Sequence, residues 1–191
     1  MQTSIINSLQ QLYVKKLTGI YDGNISAKTR GSNTFYITPG GVRKHTIRDN
    51  DLVSVRISDL SYDGTPSREL PMHAHFMKYT DNEFYCIHCH PPHIIAYTGL
   101  TTNTYKEFST IKSLFPELNY DIVKNVPFFP AGSTELADAV FDNLKDSCQN
   151  NTSSIAVMQN HGVMATGSDI NYLLDMIETL DFYSNISLKA A

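Results

Sequence analysis

The sequence predicts a mixed α/β domain built in layers. Two observations carry this. Runs with apolar residues at helical spacing stand at both ends of the chain and between shorter apolar or alternating runs bounded by Pro and Gly. Some of the short runs are joined by turn-length connections and others by helices, a mixture that points to helices packed on a sheet.

The first helix is predicted from Ile5, Ile6, Leu9, Leu12, Tyr13 and Leu17, with Gly19 as its stop. The stretch from Tyr21 to Ser26 reads as a turn-rich loop. Thr34 to Thr38 reads as a strand ended by Pro39-Gly40-Gly41, and Leu52 to Ile57 as another, with Val53, Val55 and Ile57 on one face. Asp63-Gly64 marks a hairpin turn. A helix is expected to start at Ser67 as N-cap, with Pro71 tolerated in its first turn and Leu70, His73 or Ala74, and Met77 facing inward. Glu83 to His90 is a strand, and Pro91-Pro92 end it and open a short helix towards Tyr97. Residues 100–132 are mixed, broken by Phe115-Pro116 and Phe128-Phe129-Pro130. Ser133 to Leu144 is helical, with Leu136, Val140 and Leu144 four apart. Ile155 to Met158 is a buried strand. Ser168 or Asp169 caps a final helix with Ile170, Leu173, Leu174, Ile177 and Leu180 on one face.

A chain of 191 residues fits one domain spanning 1–191, large enough to bury a full core. The hydrophobic fraction of 41% and charged fraction of 18% are those of a soluble globular protein. No apolar run approaches ~20 residues, so no membrane span is expected. The start, Met1 to Ile6, lacks the basic-then-apolar pattern of a secretory leader. A net charge of −4 offers no basic footprint for nucleic acid. The three cysteines, Cys86, Cys89 and Cys148, read as reduced thiols of a cytoplasmic protein. Cys86 and Cys89 form a C-x-x-C, but on a strand they point to opposite faces. Cys86 then shares a face with His88 and His90, as a buried structural thiol.

The chemistry concentrates in His88-Cys89-His90. Two His at i, i+2 on a strand point the same way, and a third can complete a three-nitrogen face on a divalent metal with room left for a water or substrate oxygen. A lone His is more often a satisfied core residue. His-x-His ended by Pro-Pro on an apolar strand favours a metal, and imidazole suits zinc, iron, nickel or copper. His161, in Asn160-His161-Gly162 after an apolar strand, is a turn residue that gains meaning as the third ligand; His73, His75 and His93 are its rivals. Glu69 near a helix start is explained by the helix dipole alone, or beside a metal as a fourth ligand or general base. Gly23-Asn24 and Gly40-Gly41 are turn signals; such turns can also form phosphate nests, though neither is a Walker or dinucleotide fingerprint.

Together these stretches resemble the class II aldolase/adducin family. The matched motifs are Gly23-Asn24-Ile25-Ser26, Ile37-Thr38-Pro39-Gly40-Gly41, Pro66 to His73, Ile87-His88-Cys89-His90-Pro91 and Asn160-His161-Gly162-Val163, five in the family's order and near its spacing. The resemblance implies a central, mainly antiparallel sheet covered by helices, and a homotetramer with active sites at subunit interfaces. It implies zinc on His88, His90 and His161, with Glu69 as the acid/base. It assigns a phosphate cradle to Asn24, Gly41 and Ser67. Tyr120 falls in the region of the tyrosine with which a neighbouring subunit protonates the leaving aldehyde.

The family's reactions share metal stabilisation of the enediolate of a hydroxyketone. Glu rather than Asp at 69, with Ser-x-Glu-Leu-Pro-Met-His and His-x-His-Pro-Pro, is most similar to the fuculose-phosphate aldolase type. The expected reaction is therefore cleavage of a ketose 1-phosphate to dihydroxyacetone phosphate and an aldehyde. Two departures stand out: Arg68 where that type has a second Ser, and Gly40 where it has a hydroxyl residue. Arg68 can meet phosphate as a fork in place of the lost hydroxyls, or stand exposed in a first turn. A basic residue there also resembles the family's keto acid phosphate decarboxylases. Decarboxylation, or 4-epimerisation of L-ribulose 5-phosphate, is the second reading. A non-catalytic adducin-like module, expected to lack the ligands, is the third.

Overall fold

The computed structural model describes residues 1–99 and 123–189. The chain runs α1 (Gln2–Val14), β1 (Asn24–Lys28), β2 (Thr34–Ile37), β3 (Val53–Arg56), α2 (Leu70–Tyr79), β4 (Phe84–Cys89), α3 (Pro92–Tyr97), β5 (Val123–Val126), α4 (Thr134–Gln149), β6 (Ser154–Met158), β7 (Gly162–Gly167) and α5 (Ile170–Lys189). The strands form one seven-stranded sheet in the order β3-β2-β1-β4-β7-β6-β5. Among the described residues only β5 and β6 pair in parallel, so the sheet is mainly antiparallel, as the resemblance implies.

β4 lies at the centre, paired with β1 on one side and β7 on the other. Every residue of β1, β4, β6 and β7 is buried, because helices cover both faces. On one face Ile25, Ile87, Cys89 and Val163 pack under Leu9 and Leu12 of α1 and Leu173 and Ile177 of α5. On the other, Phe84, Cys86, Ala156 and Met164 pack under Phe76 and Met77 of α2 and Val140 and Leu144 of α4. Cys86 and Cys89 therefore sit in different cores, and all three cysteines are buried free thiols. Two cores clamp the strand that carries His88, which keeps its geometry rigid.

Several elements differ from the sequence expectation. β1 occupies part of the stretch that reads as a loop, and β5 and β7 add strands where none is expected. α1 stops at Val14 rather than near Gly19: Lys16 takes φ 60°, and the Leu17 N–H bonds the Leu12 carbonyl at 2.9 Å. That is a Schellman ending, sealed by Leu12 and Leu17 in the same core. The hairpin turn after β3 is made by Asp59 and Leu60, not Asp63-Gly64. The Asp59 carboxylate accepts from the Ser61 N–H at 3.0 Å and hydroxyl at 2.7 Å, and Leu60 takes φ 57°. α2 begins at Leu70, and Ser67 is not its N-cap; the Ser67 hydroxyl accepts from the Glu69 N–H at 3.2 Å in the turn before the helix. Asp169, not Ser168, caps α5, accepting from the N–H groups of Asn171 and Tyr172.

Candidate active site

His88 and His90 point to the same side of the sheet, as the strand period requires, and His90 stands just past the end of β4. His88 Nδ1 donates to the Val163 carbonyl on β7 at 2.9 Å. That bond fixes the tautomer and leaves Nε2 of His88 as an acceptor facing the cluster, within hydrogen-bond distance of Nε2 of His90 at 3.1 Å.

His161 reaches the same point from the β6–β7 turn. Three residues, Gln159 to His161, join the strands; Asn160 takes φ 56°, and the His161 N–H bonds the Met158 carbonyl at 3.1 Å. A Cβ on Gly162 would stand 2.3 Å from the Cys89 carbonyl oxygen and 2.8 Å from Cδ2 of His90. Glycine is therefore what lets the turn press against the end of β4 and bring His161 to the other two rings. The ring centroids of His88, His90 and His161 lie 4.8–5.2 Å apart.

His88 and His90 open onto a cleft of about 410 Å³, the size of a small-molecule site, which Glu69, Asn24, Gly41, Ser67 and Arg68 also line. Asn24 is placed there by register, as the β1 residue opposite His88. Its side-chain oxygen bonds Nε2 of His73, whose Nδ1 lies 2.6 Å from the Ser26 hydroxyl. Gly40 is explained by crowding: its Cβ would stand 3.0 Å from the Pro66 carbonyl oxygen, where the chain crosses itself at the Pro39–Pro66 bridge. Arg68 is exposed. The Glu69 carboxylate makes no capping bond to α2; it accepts from the backbone N–H of Gly132, in the loop before α4.

Electrostatically the three rings are prepared as neutral donors. Burial pushes His88 well below the usual imidazole range, reinforced by His90 and His161. Burial lowers His90 too, opposed by Asp22, and brings His161 down to about 4. Burial holds the Glu69 carboxyl above its ordinary value, against the pull of Arg68 and the Gly132 N–H. One ligand nitrogen from each His lies within 4.8 Å of the others. Nδ1 of His161 is buried with no hydrogen-bond partner. A neutral, close-set nitrogen triad with an orphaned member fits a divalent ion better than a hydrogen-bonded core.

Residues 3–188 match the family model described as Class II Aldolase and Adducin N-terminal domain. The chain belongs to the class II aldolase and adducin family. It is 28% identical over 181 residues to an L-fuculose phosphate aldolase of Methanococcus maripaludis, covering 94% of this chain and 91% of that one. It is 24% identical to a 5-deoxy-D-ribulose 1-phosphate aldolase of Bacillus thuringiensis, covering 86% and 73%. The crystal structure of an L-fuculose-1-phosphate aldolase from Thermus thermophilus shares the fold, with a TM-score of 0.74 at 19% identity over 98% of this chain and 93% of that one. Class II aldolases are metal-dependent enzymes that use a divalent ion, and among the described residues His88, His90 and His161 are the group that can hold one.

The rival histidines of this family member are engaged elsewhere. His75 pairs with Asp138 at 3.1 Å, His93 with Asp181 at 2.7 Å, and His73 with Asn24 and Ser26. Tyr120 lies outside the described residues. Tyr21, Asp22 and Lys44 also line the cleft, and sequence reasoning singled out none of them for it. His45, next to Lys44, reads as a polar-loop residue, and nearness to the Pro39-Gly40-Gly41 turn is the one hint of the site in that stretch.

Among the described residues no helix is long and apolar enough to cross a membrane.

Proposed function

We propose that the protein is a zinc-dependent aldolase that cleaves a ketose 1-phosphate of the L-fuculose 1-phosphate type to dihydroxyacetone phosphate and an aldehyde. The observation that carries this is one cleft lined by two histidines of a metal-competent triad, a half-buried carboxylate raised in pKa, and the Asn24, Gly41 and Ser67 turns. When bound, the ion supplies positive charge where negative charge develops on the substrate's hydroxyl and carbonyl oxygens. Glu69 carries the proton. Burial raises its pKa, which suits a group that must both accept and return a proton, and the Gly132 N–H holds the carboxylate in place. On cleavage, the electrons of the broken carbon–carbon bond stay with the three-carbon half, and Glu69 delivers a proton to that carbon. Asn24, the Gly41 turn and Ser67 hold the phosphate, and Arg68 at the cleft lip adds charge. Tyr120, from a neighbouring subunit of a homotetramer with active sites at the interfaces, takes the proton of the hydroxyl that becomes the aldehyde oxygen, and returns it to that oxygen in the reverse condensation. The whole chain acts as one domain, in the cytoplasm.

Dihydroxyacetone phosphate release from L-fuculose 1-phosphate by zinc-loaded protein tests the reading, with His90→Ala as control. Release that disappears in the variant supports it. Arg68 in the cleft and the absent hydroxyl at Gly40 favour a second reading, decarboxylation of a keto acid phosphate. Carbon dioxide release without aldehyde distinguishes that reaction. Epimerisation is disfavoured by Glu at 69, and the adducin-like reading by the intact triad.

A further inference from the structure

We infer that Lys44 is the buried cation of the cleft and the charge partner of the substrate's anionic group. The inference rests on the sugar-phosphate reading above and names the residue that supplies its charge. Lys44 opens a short 3-10 turn three residues beyond Gly41. It is only 2% exposed, yet it lines the cleft beside Asn24, Gly40, Gly41 and Ser67. Its Nζ donates to the Pro39 carbonyl at 2.9 Å, which ties the ammonium to the back of the Thr38-Pro39-Gly40-Gly41 turn.

That single bond leaves the ammonium under-partnered. It has three donors, and among the described residues no other hydrogen bond and no ion pair engages it. Asp22 bears on it only through space, and burial brings its pKa down to about 8. A lysine kept in such a place for structure alone is unfavourable, because an apolar side chain of similar volume does the packing without desolvating a charge. An anion in the cleft gives the charge its counterpart and the free donors their acceptors. The ammonium also stands behind the turn in which Gly40 lacks a hydroxyl. Arg68, the other cation of the cleft, is exposed and beside Glu69, so water and the carboxylate both weaken its hold on a ligand.

The test is calorimetric binding of glycerol 3-phosphate to the zinc-loaded full chain, with glycerol as the uncharged control. It is run on wild type, Lys44→Met, Lys44→Gln and Arg68→Gln, with zinc content and thermal midpoint measured on each. Wild type should prefer the phosphate ester. Both Lys44 variants should keep their zinc and lose at least about tenfold in that affinity, and Arg68→Gln should lose less. Lys44→Gln retains an N–H donor for the Pro39 carbonyl, so it decides the matter if Lys44→Met fails to fold. Affinity within about twofold of wild type in a folded, zinc-loaded Lys44 variant overturns the inference and leaves the sugar-phosphate reading standing. A wild type that does not distinguish the ester from glycerol overturns both.

Discussion

His73 on α2 and Asn24 on β1 are joined side chain to side chain beneath the cleft. An amide oxygen only accepts, so the imidazole donates from Nε2. Burial brings His73 down to about 3, so the ring is neutral, and its Nδ1 accepts the Ser26 hydroxyl proton. One buried ring thereby sets which way the Asn24 amide faces, with its oxygen inward and its N–H2 left for the cleft that Asn24 lines.

Replacing His73 with Leu strips partners from two buried groups, Asn24 Oδ1 and the Ser26 hydroxyl. The expected loss is about 2–6 kcal/mol of stability, the sum for two buried polar groups left unpaired. Urea unfolding measures it. A loss below about 1 kcal/mol would mean the network contributes little beyond packing.

The same ring makes the metal-free protein acid-sensitive. The folded pKa of His73 is about 3, below the unfolded 6.5, so the unfolded chain binds more protons between those values. Stability is fully present above pH 6.5 and is lost as pH falls towards 3. The slope is up to about 1.4 kcal/mol per pH unit for a single proton. His161, lowered to about 4, acts in the upper part of this window with the same sign. Metal-free wild type and His73→Leu, unfolded in urea at about pH 7 and about pH 5, should differ in slope, the variant being flatter. Equal slopes would remove His73 from the account.

The strand that escaped the sequence most completely did so because its polar side chains are buried by tertiary partners. β1, Asn-Ile-Ser-Ala-Lys, reads as loop because Asn24, Ser26 and Lys28 interrupt any apolar pattern. All three are buried, since His73 satisfies the first two and Lys28 donates to the Met77 and Thr80 carbonyls at the end of α2. β7, bounded by Gly162 and Gly167, has too short a run to stand out. By contrast α4, α5 and β4 were legible, because their periodicity is what packs them against the sheet. The triad was legible for a similar reason. His88 and His90 depend only on strand period, whereas choosing His161 over His73 required knowing that α2 lies over β1.

Gly162→Ala tests the approach of the turn to β4. The added carbon meets the Cys89 carbonyl oxygen at 2.3 Å, and a backbone atom in a central strand cannot swing aside. The turn must retreat and carry His161 away from His88 and His90. Zinc affinity should fall by about 10–100-fold, the range seen when the support of a metal ligand is disturbed. Competition with a chromophoric chelator measures it, and affinity equal to wild type would show that the turn can yield without moving the histidine.

Glu69→Gln separates metal binding from proton transfer. Glu69 is not one of the three clustered ligands, and its carboxylate is held by the Gly132 N–H, a bond that a glutamine oxygen can still accept. The variant should therefore fold and, once loaded with zinc, retain the ion. What it loses is a group that burial has tuned upward to exchange protons, so turnover should fall by about 10²–10⁴-fold at unchanged metal content. In wild type the acidic limb of the rate profile should lie above the ordinary glutamate value of 4.5, since burial penalises the charged form more than Arg68 and the Gly132 N–H favour it. Near-normal turnover in the variant would take Glu69 out of the mechanism. Loss of zinc together with turnover would instead make it a ligand, a different role for the same carboxylate.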